Sequence, residues 1–378
     1  MVKSHSNCKE CKESSRRKFI AAAGTAGVLG LAGCSGEGSD ESNDGTGPGS
    51  KEQEFPEFSV EDPQFPQPWP VMIENDYQFG LESDLEQMEP RDEAVYGQSP
   101  MGTPEDKSEW LDPDPIEFAY FPAESPAGYA DSLSPLIENI ESETGREVNY
   151  SSINSYAAQI EAMRSERLHM AAYASGPTAF AVNLAGFVPR AIQTAAGTFG
   201  YRVFLITHMN RDDINGISDL EGKTVAHADP SSNSGNLAPR ALFAERGVVP
   251  GEDYEIEFSG GHENSGIGVF REDYDAAPVC STCVQRSIQA DRIEAEDLKV
   301  VWASQPFPEG SFGYYHKLHP DLQEGLETAL FDYDYSGTRI PEDFNGRDTF
   351  LEMDYNTVWN QNLVIMRAND VEFDLENL

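Results

Sequence analysis

Basic residues are scarce in this chain. Its 378 residues hold 26 lysines and arginines against 66 aspartates and glutamates, a formal charge of −40. With acids outnumbering bases more than two to one, nucleic-acid binding through a basic footprint is not expected. The acidity is spread along the chain, which points to a halophilic, solvated acidic surface whose self-repulsion is tolerated under strong screening. Cysteine is scarcer still, with Cys8, Cys11, Cys34, Cys280 and Cys283, and these do not make a disulfide scaffold. Beyond the N-terminus no apolar run is long enough to cross a bilayer. Catalytic signatures are missing as well: there is no HExxH, GxSxG or Walker loop. Gly222-Lys223-Thr224 lacks the upstream glycines of a phosphate loop and leads into a strand. The histidines show no metal-ligand clustering. An enzyme, a cofactor and a metal site are therefore not expected.

What is present begins with an address. "SRRKFIAAAGTAGVLGLAGC", ending at Cys34, joins paired arginines to a short run of small apolar residues. It reads as a twin-arginine export signal. "LAGC" at Leu31–Cys34 resembles a lipobox, in which the cysteine becomes the lipidated first residue. The organisation that follows is a signal over 1–33, a flexible acidic linker over 34–50 and a Pro- and acid-rich extension over 51–115. The protein is expected at the outer face of the cytoplasmic membrane, held there by lipid. Cys8 and Cys11 fall in the removed piece. The extension, with "FPQPWP" and "LDPDP", reads as irregular with one short helix near Leu81–Met88. Phe55, Phe65 and Trp69 could dock it on the body, or it could stay partly mobile.

From Ile116 the pattern changes. Short apolar runs such as "IEFAYFP", "HMAAY" and "YRVFLITH" alternate with helical periodicity over 155–167, 234–246, 262–270 and 281–290. Ser155 stands where a helix cap belongs. This alternation predicts an α/β protein of two lobes, each a mixed, mostly parallel sheet flanked by helices, with a cleft between them. The pattern places lobe 1 at 116–205 plus 303–378 and lobe 2 at 206–302.

One stretch carries chemistry. "HADPSSNSG" at 227–235 follows a strand and opens a helix. A cap needs one Ser or Asn, and Ser231, Ser232, Asn233 and Ser234 exceed that need. Unpaired N–H groups at a helix start, with short hydroxyls beside them, can hold a phosphate-like dianion without a lysine. Both readings, a cap and an anion cradle, stand on these residues. "CSTC" at Cys280–Cys283 enters another helix and admits a local disulfide, quiet thiols, a redox pair or half of a metal site.

The stretches "SYAAQIEAMRSERLHMAAYASGPTAF", "DLEGKTVAHADPSSNSGNLAPRALF" and "FSGGHENSGIGVFREDYDAA", in that order, resemble the phosphate/phosphite/phosphonate-binding proteins of ABC importers. The resemblance runs from about Ile116 to Pro308 and identifies a type II-like periplasmic binding protein, here a lipoprotein of haloarchaeal type. It implies anion contacts from Ser232, Asn233 and Ser234, with Gly235 opening the helix to close approach. It further implies Tyr156 and Tyr201 as pocket hydroxyls and His262 as a pocket histidine. Thr282 and Gly310 match positions where aminoalkylphosphonate binders carry acids for the ligand's ammonium. Neither is acidic here, although Glu309 is adjacent. His169 stands where the family commonly has an aspartate. The implied function is non-catalytic capture of phosphate, phosphite or a small uncharged-tail phosphonate by a monomer that serves a permease and an ATPase. The alternatives are another small oxyanion, or an enzyme using His262 or Cys283.

Overall fold

Tyr201–His208 is buried at every position but Arg202, with an unbroken apolar run from Val203 to Ile206, the pattern of a strand covered on both faces. Successive side chains point to opposite sides. Phe204 and Ile206 join Trp69, Val279, Val284 and Val300 in one core, while Leu205 joins Val225, Phe243 and Val301 in another. The computed structural model describes residues 53–122 and 129–377, within the compact unit Gln53–Leu378. The export signal, Cys34, the linker, Cys8 and Cys11 lie outside the described residues.

Two lobes result. In the smaller, four antiparallel strands run in the order Gln67–Pro68, Leu298–Phe307, Tyr201–His208, Ala277–Cys280. Thr224–His227 pairs in parallel with Glu255–Phe258 and reaches this sheet through a bridge from Val225 to Ala276. The larger lobe holds an eight-stranded sheet. There Ile116–Ala119 is parallel to both Val148–Tyr150 and Met170–Ala174, as strand–helix–strand crossovers require. Gly310–Tyr315 then inserts antiparallel between Met170–Ala174 and Phe187–Ala195. The two-lobed α/β architecture matches the sequence pattern. Mostly parallel pairing does not: it is confined to the crossover strands, because a chain that visits a second lobe and returns re-enters the sheet antiparallel.

The lobe boundaries also move. Tyr201–His208 and Leu298–Phe307 pair with each other from Tyr201–Phe307 to His208–Leu298, so both belong to the small lobe beyond the 205/206 and 302/303 limits. The chain changes sheet at Gly200 and at 308–309. Gly200 has φ +59°, and a Cβ there would sit 1.9 Å from the Phe307 carbonyl oxygen. Only glycine permits this crossing of the two hinge segments.

The extension straps both lobes. Gln67–Pro68 pairs with Lys299 and Val300 in the small lobe, and Gly80–Leu81 pairs with Thr198 and Phe199 in the large one. Between these anchors the Gln78 carbonyl accepts from Arg202 N at 3.1 Å and from Ser281 Oγ at 2.9 Å. Trp69 is buried against Phe204 with ring centroids 5.6 Å apart, and its indole N–H donates to Gln285 at 3.0 Å. Helices fall at Trp69–Glu74 and Glu82–Glu86; the first lies where the sequence pattern reads as irregular chain. No helix among the described residues is long and apolar enough to cross a membrane.

Trp69 joins the strap to the small-lobe core, so Trp69→Ala is expected to lower the unfolding free energy by ~3–5 kcal/mol. Urea denaturation checks this. A change below ~1 kcal/mol would show that the strap is not docked in solution.

Candidate functional site

Five helical segments begin at one place between the lobes. They are Tyr156–Arg164, Ser175–Ala185, the π-helical turn Asn233–Leu237, His262–Phe270 and Ser281–Gln289. Tyr156, Ser175, Gly176, Asn233, Ser234, His262 and Cys280, all at or within two residues of these starts, line a single cavity. Phe121, Tyr201, Ser232, Cys283 and Glu309 complete its wall, and the lining residues include no lysine or arginine. Helix starts present unpaired N–H groups and the positive end of the peptide dipoles. The space open to the centre of a water-sized sphere is about 20 Å³, little more than one water needs.

The lobes meet across this cavity. A Cβ on Gly176, from the large lobe, would lie 2.1 Å from the Ser231 carbonyl oxygen and 2.8 Å from Asn233 N in the small lobe. Only a residue without a side chain allows that approach.

His262 is the organiser. Its Nδ1 accepts from Cys280 N at 3.3 Å, so in the neutral ring the proton sits on Nε2. Nε2 faces Ser232 Oγ at 3.1 Å and Ser234 Oγ at 3.3 Å. Ser232 Oγ also accepts from Gly235 N at 3.1 Å. With its acceptor sites filled, Ser232 keeps its O–H to donate. Burial, with Arg286 adding and Glu309 opposing, pushes the His262 pKa down to about 4, so the ring is neutral at physiological pH. Asn233 Nδ2 donates to Tyr201 OH at 3.0 Å, while Asn233 Oδ1 is buried without a partner. A hydroxyl both donates and accepts, so this amide can be turned either way and offer its N–H to an anion. Burial raises the Tyr201 pKa, which keeps its hydroxyl protonated.

The structure thus brings Tyr156, Tyr201, Ser232, Asn233, Ser234 and His262 into one wall, with Cys280 and Cys283 beside them. Gly235 and Thr282 stand behind it. A Cβ on Gly235 would lie 2.4 Å from Ala228 Cβ, so that glycine lets the turn pack on its own strand end and does not bring backbone to ligand. Thr282 Oγ1 donates to Glu309 at 2.6 Å. Ser231 is consumed locally: its N–H and hydroxyl both donate to Asp229 Oδ1, at 2.9 and 2.7 Å. His227 is scaffold, held between Asn236 and Tyr254 at 2.9 Å each. So is His169, whose Nδ1 accepts from Glu117 N at 3.0 Å and pins two strands.

Sequence reasoning missed Phe121, Ser175, Gly176 and the full part played by Glu309. Ser175–Ala185 is almost wholly buried and shows no polar face, so periodicity does not announce it as a helix. The signal available was Ser-Gly-Pro directly after a strand, since proline is tolerated in a first helical turn.

Cys280 and Cys283 form a disulfide with Cα atoms 5.2 Å apart. Their sulfurs and a Glu309 oxygen lie within 4.8 Å of one another, a metal-like spacing. The residues do not fit a metal, because the disulfide takes both sulfurs and Glu309 meets Arg286 and Arg347. The same bond leaves Cys283 no thiol for nucleophilic chemistry.

Residues 118–358 match the family described as ABC transporter, phosphonate, periplasmic substrate-binding protein. The chain belongs to this family. It is an extracytoplasmic substrate-binding component of an ABC importer, and its work is capture and delivery without catalysis. Among its relatives is the phosphate-import protein PhnD of Mycolicibacterium smegmatis, 32% identical over 231 residues, covering 58% of this chain and 71% of that one. The phosphonates-binding periplasmic protein of Escherichia coli is 25% identical over 234 residues, covering 60% and 68%. Two solved structures share the fold. One is the binding component of a phosphonate transporter from Pseudomonas aeruginosa, with TM-score 0.59, 22% identity and coverage of 68% and 88%. The other is PhnD1 of Prochlorococcus marinus in complex with methylphosphonate, with TM-score 0.58, 14% identity and coverage of 68% and 99%. In this binding protein the strap, residues 53–115, precedes the matched region.

Two buried histidines give stability a pH dependence. Burial pushes both His227 and His262 down to about 4, below the ordinary value near 6.5. The unfolded chain therefore takes up protons that the folded one refuses. The stability involved is complete above pH ~6.5 and is lost as pH falls towards ~4, at up to ~1.4 kcal/mol per pH unit for each ring. Urea midpoints should be flat from pH ~7 to ~8 and fall below ~6.5. His227→Asn should remove part of that fall; an unchanged slope would contradict the assignment.

Proposed function

We propose that the ligand is phosphate, phosphite or a small phosphonate with an uncharged tail. The observation that carries this reading is the meeting of five helical starts at one cavity lined by neutral donors. Tetrahedral oxyanions present three or four oxygens, and this wall supplies hydroxyls from Ser232, Ser234, Tyr156 and Tyr201, an amide from Asn233, and helix-start N–H groups. Neutral donors fixed in advance bind such an anion without reorganisation, in a setting dry enough to make each bond count. The cavity's small volume favours a ligand with little beyond its oxygens. The name of the mycobacterial relative, a phosphate importer, and the methylphosphonate in the Prochlorococcus structure agree with this range.

In the mechanism we propose, the open lobes admit the anion to the Ser232–Ser234 turn. Rotation about Gly200 and 308–309 brings Tyr156, Ser175 and Gly176 over it, and the closed form docks on the permease. The sequence supports a tether as well. Paired arginines at Arg16 and Arg17 and the "LAGC" at Leu31–Cys34 favour twin-arginine export and lipidation at Cys34. The net charge of −40 suits high salt.

Calorimetric titration in high salt tests the ligand class. Phosphate, phosphite or methylphosphonate should bind with Kd below ~100 μM, and failure of all three would sink the reading. Ser232→Ala and Ser234→Ala should each weaken binding by ~10- to 100-fold, as expected for one hydrogen bond to a charged group. Gly176→Ala should impair closure and weaken binding by at least ~10-fold while the melting temperature stays near that of the parent, because its Cβ obstructs only the closed lobes. Mass spectrometry of the mature N-terminus checks the anchor: a diacylglyceryl group on Cys34 is expected, and an unmodified or uncleaved chain would refute it.

A further inference from the structure

Glu309 is the one carboxylate among the residues that line the cavity. In so small a space any ligand lies against it. An unpaired carboxylate there would repel an oxyanion and attract a cation. Instead Arg347 Nη1 pairs with Glu309 Oε2, Arg286 Nη1 lies 3.2 Å from Oε1, and Thr282 donates to Oε1 at 2.6 Å. Burial alone would raise the Glu309 pKa, but Arg347 and then Arg286 outweigh it, and the carboxyl is held below its ordinary value. The cluster is assembled from three parts of the molecule. Arg286 comes from the small-lobe helix Ser281–Gln289, Glu309 from the hinge, and Arg347 from the segment before the large-lobe strand Thr349–Glu352. Arg347 is itself 2% exposed. Its Nη2 donates to the Gly200 carbonyl at 2.9 Å, and its guanidinium lies 5.6 Å from the ring centre of Phe79 in the strap.

We propose, resting on the oxyanion reading above, that Arg286 and Arg347 are specificity-determining residues. They occupy Glu309, so the cavity accepts an oxyanion whose remaining substituent is uncharged and rejects one that carries an ammonium. An ammonium brought into this space needs a carboxylate partner. The lining carboxylate already holds two guanidiniums, and recruiting it would leave a buried arginine uncompensated, which costs more than the new pair returns. The same two arginines cancel the repulsion that Glu309 would otherwise exert on the anion. Specificity here comes from a partner withheld.

The test is titration of the parent, Arg286→Met, Arg347→Met and Glu309→Gln with methylphosphonate and 2-aminoethylphosphonate in one buffer, and of the parent with phosphate as well, with thermal melts to confirm folding. The parent should prefer methylphosphonate by at least ~100-fold. Arg286→Met should narrow that preference by at least ~10-fold, through a gain for the ammonium ligand as Glu309 is released. Arg347→Met should act in the same direction. The double variant Arg286→Met with Glu309→Gln should not narrow it, since no carboxylate remains to be released; this keeps the test valid if Arg347→Met does not fold. A parent that binds 2-aminoethylphosphonate as tightly as methylphosphonate overturns the proposal. So does an Arg286→Met variant that changes both ligands equally. In either case the oxyanion reading survives. A parent that binds neither of these ligands nor phosphate defeats both.

Discussion

An anion taken out of water must meet donors that are already aimed at it, and this requirement orders the molecule. Water supplies such donors by turning; a protein must fix them through its backbone. Here the fixing is done by helix starts, whose first N–H groups have no partner within the helix. The helices at Ser175, Asn233 and Ser281 each follow closely on the end of a strand, at Ala174, His227 and Cys280. Strand ends therefore place the donors, in the crevice where open α/β sheets bind their ligands. His262 completes the arrangement. Held neutral by burial and oriented by Cys280 N, it turns its one N–H towards Ser232 and Ser234, and Ser232, which also accepts from Gly235 N, keeps its own proton to donate.

Dividing that wall between two lobes creates a second requirement, that the segments joining the lobes hold together. Gly200 lets the two connecting segments cross in contact. The strap then adds an anchor on each lobe and hydrogen bonds across the joint. Arg347 reaches from the cavity's carboxylate to the Gly200 carbonyl, so one side chain joins the cavity to the point where the chain changes sheet.

Some of this was legible in the residues. Ser155 caps its helix by accepting from Ala158 N, and "HENSGIGVF" forms the helix His262–Phe270 that its periodicity indicates. The surplus of hydroxyls in "SSNSG" divides in the structure: Ser231 closes a turn with Asp229, whereas Ser232 and Ser234 face the cavity. Other features were not legible. A wholly buried helix such as Ser175–Ala185 has no polar face to mark its period. Trp69 could be named as a residue that docks the extension, but the helix it opens, Trp69–Glu74, could not. The ion cluster of Arg286, Glu309 and Arg347 links residues that no local pattern connects.

The sequence by itself determined the class of fold, through the alternation of strand and helix patterns, and the presence of short hydroxyl side chains at a helix start, which the fold sets in the cavity wall. Both are local, set within a dozen neighbouring residues by backbone geometry and side-chain type. Tertiary structure alone decided which donors share a cavity, that Gly235 lets its turn pack while Gly176 lets the two lobes touch, and that Glu309 is paired with arginines. Those outcomes depend on approaches between residues far apart in the chain, and only the packed lobes set such distances.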